Sequence, residues 1–186
     1  MKPKYWNKGI KYLSNKDKVL KNLIESYPNQ HLVLNSNHFH SLINSIIGQQ
    51  ISVSAADSVK KKFFKLNKNI TPITVLKFKT SQLKLCGLSR QKILYIRNIA
   101  NFFKNNKKFI KNIYKFSEDE ITQKLIEIKG VGQWTIHMFL IFSYGSSNIF
   151  PEGDLGLLKA ISKNYKKKLP FNKKELSYLK NKLSPY

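Results

Sequence analysis

Apolar residues recur along this chain at helical intervals and nowhere alternate with polar ones for long enough to make a strand. The cleanest stripe is Phe39, Leu42, Ile43, Ile46 and Ile47, spaced i, i+3, i+4, i+7, i+8 and stopped by Gly48. Before it, Tyr5, Trp6, Ile10 and Leu13 mark a short amphipathic segment. Asp17 is placed to start a helix whose apolar face is Val19, Leu20, Leu23 and Ile24. After it, Ser52 caps a helix expected to bury Val53, Ala56, Val59 and Phe63, with Lys60, Lys61, Lys62 and Lys65 on the other face. A weaker helical stretch runs from Val75 to Leu85. Gly87-Leu88-Ser89 is a turn into a helix that buries Ile93, Ile96, Ala100 and Phe103 and leaves Arg90, Lys92 and Arg97 outside. Asn105 to Lys108 reads as a polar link. Ser117-x-x-Glu120 and Asn172-x-x-Glu175 are capping boxes, the second opening a helix through Leu176, Leu179 and Leu183. Leu155, Leu158 and Ile161 belong to a helix that begins at Asp154. The pattern predicts an all-α, compact multi-helix bundle of roughly eight to ten helices. It is read as a single domain over residues 1–186, with two interleaved helical lobes and a cleft as one layout the pattern allows.

The stretch LIEIKGVGQWTIHMFLIFSYGSSNIFPEGD, residues 125–154, departs from the ordinary alternation of helix and link. An apolar helix end breaks at Lys129-Gly130-Val131-Gly132, and the chain restarts at once as an apolar run from Trp134 through Phe142. Two glycines around one small apolar residue let the backbone turn sharply with its N–H groups outward, at the start of a new helix. Such amides, with the positive end of a helix dipole, make an anion site, and beside Lys129 a phosphate suits it. The stretch closes on Asp154, which follows a Pro-Glu-Gly turn.

Charge sharpens this picture. The chain carries 34 basic against 10 acidic residues, a net charge of +24, so an acid at a turn such as Asp154 stands out. That balance points to a polyanion, a nucleic acid first and an anionic membrane surface second. Only Arg90 and Arg97 among the basic residues are arginine, a skew an AT-rich genome also produces, so part of the lysine content reads as solvated filler. Cys86 stands alone, which excludes an intrachain disulfide and a cysteine-ligated iron–sulfur cluster within this chain. His38-x-His40 alternates rather than sharing a helix face and reads as a loop-to-helix boundary, not a zinc site. The start, MKPKYWNKGI, lacks an apolar signal core and no apolar run approaches spanning length. The expectation is a soluble, intracellular protein.

Four segments, in this order, resemble the helix–hairpin–helix DNA base-excision glycosylase superfamily: IIGQQIS at 46–52, LCGLSRQK at 85–92, IKGVGQWT at 128–135 and FPEGDLG at 150–156. Within that superfamily the chain is most similar to the DNA-3-methyladenine glycosylase II family. The resemblance covers roughly Ser41 to Asn164. It implies a compact form, without the N-terminal β-rich domain of some members and without the family's usual last C-terminal helix.

The resemblance implies roles for particular residues. Asp154 is the catalytic acid, a role its use as a helix N-cap does not exclude. It would stabilise the positive charge that develops on deoxyribose as an N-glycosidic bond breaks, and orient or deprotonate a water. Trp134 stands where bifunctional members carry a lysine that forms a Schiff base, so the implied reaction is hydrolysis without strand cleavage. An indole also suits cationic alkylated purines of the 3-methyladenine and 7-methylguanine type. His137 and Met138 are its neighbours in the implied base pocket. Gln49, Gln50 and Ile51 match the loop that fills the gap left by a flipped nucleotide, with Gln50 the favoured wedge. Lys129, Gly130, Val131 and Gly132 would hold a backbone phosphate, and Gly87 and Ser89 a second one. No side-chain metal site and no organic cofactor are expected. A structural Na⁺ or K⁺ at the hairpin carbonyls near Gly130 and Gly132 is implied. The partner is double-stranded DNA containing damaged bases, with no membrane, and the chain is expected to act as a monomer in a bacterial cytoplasm or a eukaryotic nucleus. Two alternatives remain open: a non-catalytic helix–hairpin–helix DNA-binding protein, or a glycosylase for uracil, hypoxanthine or mismatched bases.

Overall fold

A computed structural model describes residues 1–186. It contains twelve α-helices and no strand: α1 Trp6–Lys16, α2 Lys18–Ser26, α3 His38–Gly48, α4 Val53–Lys65, α5 Pro72–Lys77, α6 Thr80–Leu85, α7 Arg90–Asn105, α8 Lys107–Lys111, α9 Glu118–Ile126, α10 Gln133–Phe139, α11 Leu155–Tyr165 and α12 Lys173–Leu183. A 3₁₀ turn, Ile113–Lys115, follows α8, and a π turn, Leu140–Tyr144, continues α10. No helix is long and apolar enough to cross a membrane.

The helices exceed the expected number because two predicted segments are cut. Between Val75 and Leu85 the backbone goes extended at Phe78 and Lys79, and Gln82 caps the restart by accepting the Lys79 N–H at 2.8 Å. The polar link after α7 shrinks to Asn106, whose side chain donates to the Phe102 carbonyl at 2.9 Å, with α8 starting at the next residue. Two residues expected inside are outside, Val53 at 79% exposure and Leu155 at 71%. Each is the first residue after its cap, where the chain enters the helix and no earlier turn stands behind it.

The chain forms two compact units, Asn35–Tyr144 and a discontinuous one made of Met1–Leu34 with Gly145–Tyr186. In the first, α3 is the central element, packed against α4, α7 and α10. Its predicted stripe is completely buried at Leu42, Ile43, Ile46 and Ile47. Phe63, Ile96, Ile121, Leu125, Ile136 and Phe139 close around the same core. Fully burying side chains of this size contributes about 1.5–3 kcal/mol each, which is what holds the short helices in place.

In the discontinuous unit α1 packs against α2 and α12. Asp17 caps α2, accepting the Leu20 N–H at 2.9 Å, and it is buried. Lys182 of α12 donates to its other oxygen at 2.6 Å. Burial would push this carboxyl up, but the hydrogen bonds from Lys182 and the Leu20 amide outweigh that and hold it below the ordinary aspartate range. Tyr186 lies over Gly9, where an added Cβ would meet its ring at 3.1 Å, and Tyr12 donates to the Ser184 carbonyl at 2.8 Å.

Candidate functional site

The glycine turn sits between α9 and α10. Ser117 and Glu120 close the predicted capping box, each accepting the other's backbone N–H. The turn itself is fastened by the Val131 N–H on the Ile128 carbonyl at 2.9 Å, with Val131 buried. Gly130 is required twice over. Its φ of +102° is left-handed territory, and a Cβ there would stand 2.1 Å from the Tyr95 ring. Gly132 differs: it is exposed, extended, and a Cβ would meet nothing within 4 Å. It is the N-cap of α10, and no side chain caps that helix. The dipole and the first-turn amides at this end therefore present a positive, uncapped surface toward which the exposed Lys129 adds charge.

A residue of α7 and one from the link after α3 brace the turn. Asn98 of α7 donates to the Lys129 carbonyl at 3.0 Å. Gln49 turns its side-chain amide into the hairpin, 3.0 Å from the Thr135 hydroxyl and 3.3 Å from the Gly130 carbonyl. Gln49 therefore braces the hairpin from within, a placement different from the outward contact expected of it. The next residue is the one that faces out. Gln50 is exposed with φ +58°, at the apex of the 49–51 link, and Ile51 is exposed beside it. Ser52 then caps α4 through the Ala55 N–H at 3.2 Å.

Lys92, expected on the outer face of α7, is half-buried and donates to the Ile47 carbonyl in the last turn of α3 at 2.7 Å and to the Gln49 carbonyl just beyond it at 2.9 Å. Burial holds its ammonium below the usual lysine range. Arg97, also expected outside, donates to the Phe78 carbonyl and the Thr80 hydroxyl, both at 3.1 Å. The helix thus uses Lys92, Tyr95 and Asn98, three apart and three apart again, to fix the hairpin and the 49–51 link. Sequence reasoning missed Tyr95, Asn98 and Thr135. Only the spacing of Lys92, Tyr95 and Asn98 along one face of α7 could have signalled it. Gly87 and Ser89 are exposed at the start of that helix. Gly87 has φ +94°, and Ser89 accepts the Lys92 N–H at 3.2 Å as the cap.

On α10, Thr135, Ile136 and Phe139 turn into the core, whereas Trp134 and Met138, one turn apart, are only half-buried. The apolar run from Trp134 through Phe142 is therefore not buried on every side. His137 is joined to Gln133, whose amide donates to Nε2 at 2.9 Å. Asp154 belongs to the discontinuous unit, half-buried at the N-cap of α11. Its Oδ1 accepts the Leu157 N–H at 2.7 Å, and its own N–H is held by the Pro151 carbonyl at 2.8 Å. The turn and the cap together fix the direction of this carboxylate.

The site thus joins an all-α scaffold, a glycine hairpin between two helices and a capped aspartate that follows a proline turn. The chain belongs to the HhH-GPD superfamily of base excision DNA repair proteins, whose family model matches residues 43–182. It is 32% identical over 149 residues to a DNA-3-methyladenine glycosylase of Saccharomyces cerevisiae, covering 75% of this chain and 50% of that protein. A DNA-3-methyladenine glycosylase 1 of Schizosaccharomyces pombe is 27% identical over 144 residues, covering 75% of this chain and 63% of the relative. The chain thus spans between 50% and 63% of these relatives' length. Among solved structures, a Schizosaccharomyces pombe 3-methyladenine DNA glycosylase in complex with abasic DNA shares the fold at TM-score 0.84 and 23% identity, over 96% of this chain and 90% of that one. A DNA-3-methyladenine glycosidase from Bacillus halodurans aligns at TM-score 0.75 and 28% identity, over 96% and 83%.

Proposed function

We propose that this protein hydrolyses the N-glycosidic bond of alkylated purines, of the 3-methyladenine and 7-methylguanine type, in double-stranded DNA and leaves an abasic site. Membership of the superfamily, joined to a carboxylate fixed at the N-cap of α11, carries the reading. A target base must leave the stack before its bond is reachable, at a cost of a few kcal/mol. Gln50, exposed at the apex of its link, is the side chain that takes the vacated place, with Ile51 against it. Gly130 to Gly132 and Lys129 hold a DNA phosphate on the uncapped end of α10, and Gly87 and Ser89 hold a second.

Asp154 then stabilises the cationic sugar as the bond breaks, with Oδ1 already fixed by the Leu157 amide. The half-buried Trp134 offers an aromatic face to an electron-poor base, with Met138 adapting to its outline and His137 at the rim. An indole cannot form an imine with the opened sugar, so the product is an abasic site and not a cleaved strand. The Gly130 carbonyl accepts from Gln49 with one of two lone pairs, which leaves it able to ligate a Na⁺ or K⁺ at the hairpin. The protein acts as a monomer, where DNA is held, in a nucleoid or a nucleus.

The test is incubation with methylated duplex DNA and chromatography of the released bases. Wild type is expected to release methylated purines, and Asp154→Asn to lose release while keeping DNA affinity. Binding without release by wild type would favour a pure binder, and release of uracil or hypoxanthine alone would move the substrate class. Release by Asp154→Asn at the wild-type rate would overturn the assignment of the acid.

A further inference from the structure

Away from the hairpin, the unit formed by Asn35–Tyr144 holds an aromatic cluster that the proposed reaction does not use. Tyr114, in the 3₁₀ turn after α8, is 64% exposed, a high value for a large aromatic ring. It is nevertheless held in place. One face stacks on Tyr144, with centroids 5.5 Å apart and planes 21° from parallel, and the Tyr144 hydroxyl is tied to the Phe116 carbonyl at 2.9 Å. His38 meets Tyr114 edge-on at 5.5 Å and packs on Phe139 at the same distance. The His38 ring is itself pinned. Ser143 donates its hydroxyl to the Asn35 carbonyl at 2.7 Å, so it accepts from His38 Nδ1–H at 2.8 Å. An exposed ring already packed on one face and one edge before any partner arrives is a preorganised stacking surface, because part of the ordering cost on binding is met in advance. Lys111 and Lys115 stand exposed on either side of it in the chain.

We infer that Tyr114, backed by Tyr144 and His38, is a stacking platform for an unpaired nucleobase, with Lys111 and Lys115 drawing in the flanking phosphates. A flat ring beside exposed cations fits a base and its phosphates better than an apolar peptide, in a chain of net charge +24. The inference rests on the DNA-binding part of the reading above, but it does not need the hydrolysis.

The experiment uses the full chain and two short single-stranded oligodeoxynucleotides, one with a central 2-aminopurine and one with an abasic analogue at that place. Wild type is expected to quench the 2-aminopurine and bind that strand more tightly than the abasic one. Tyr114→Ala should weaken binding of the 2-aminopurine strand about tenfold and abolish the quench, with the abasic strand unaffected. Tyr114→Trp should restore both. Equal weakening on both strands, or unchanged base-dependent binding in Tyr114→Ala, would overturn the platform. Release of methylated bases by the wild type is scored separately, so the loss of one reading leaves the other standing.

Discussion

Gly130 shows how tightly a single residue can be specified. Its backbone is left-handed and the Tyr95 ring occupies the space a side chain needs. Gly130→Ala should therefore lower unfolding free energy by about 2–4 kcal/mol in urea titrations, from strain and overpacking together, whereas Gly132→Ala should leave stability nearly unchanged. Equal stability of the two variants would refute the steric account. Asp154 is the opposite case, a residue whose fold role is replaceable. Asparagine caps a helix as well as aspartate does, so Asp154→Asn should fold normally and lose base release by on the order of 10²–10³. His38 adds a pH term. Burial lowers its pKa, so the folded state prefers the neutral ring. The unfolded chain takes up the proton first as pH falls below about 6.5, and stability contributed by the neutral ring is lost from there downward. The urea midpoint of wild type should drop between neutral pH and pH of about 5. His38→Phe should flatten that part of the profile, and an unchanged slope would remove His38 as its source.

Among the elements, α7 carries more than its apolar stripe announced. Lys92 ties off the end of α3, Tyr95 fills the space beside Gly130 and Asn98 holds the Lys129 carbonyl, so one helix face sets both the hairpin and the 49–51 link. Lys92→Met should leave the core helices folded but release the α3 end. Amide exchange at 47–51 is expected to quicken while α7 stays protected, and duplex affinity to fall several-fold through the loosened Gln50. Unaltered exchange there would show that the capping bonds do not order the link. The capping residues themselves were legible beforehand. Ser52, Ser89, Ser117, Asp154 and Asn172 each bond to an N–H three residues on, within one turn of chain. The exposure of Val53 and Leu155 was not legible, because a spacing rule gives the face of a helix and not where the core begins along it.

For the whole molecule, charge sets the terms of the proposed DNA binding. With +24 the affinity should fall steeply with salt, in proportion to the phosphates neutralised, and a flat salt dependence would contradict the proposed footprint. The buried Asp17 with Lys182 is the structural counterpart, an ion pair joining α2 to α12. Lys182→Met should cost roughly 1–3 kcal/mol by leaving that carboxylate without its strongest donor, measured by thermal unfolding.

The sequence by itself determined the all-α class, most helix starts and ends, the glycine turn and the capped aspartate, since each depends on neighbours within a turn or two. Only the tertiary structure decided that Gln49 points inward, that Lys92 caps another helix and that His38 is locked by Ser143. Those partners lie 81, 43 and 105 residues apart in the chain. A side chain's direction over such separations is set by how whole helices pack, and local periodicity carries no record of it.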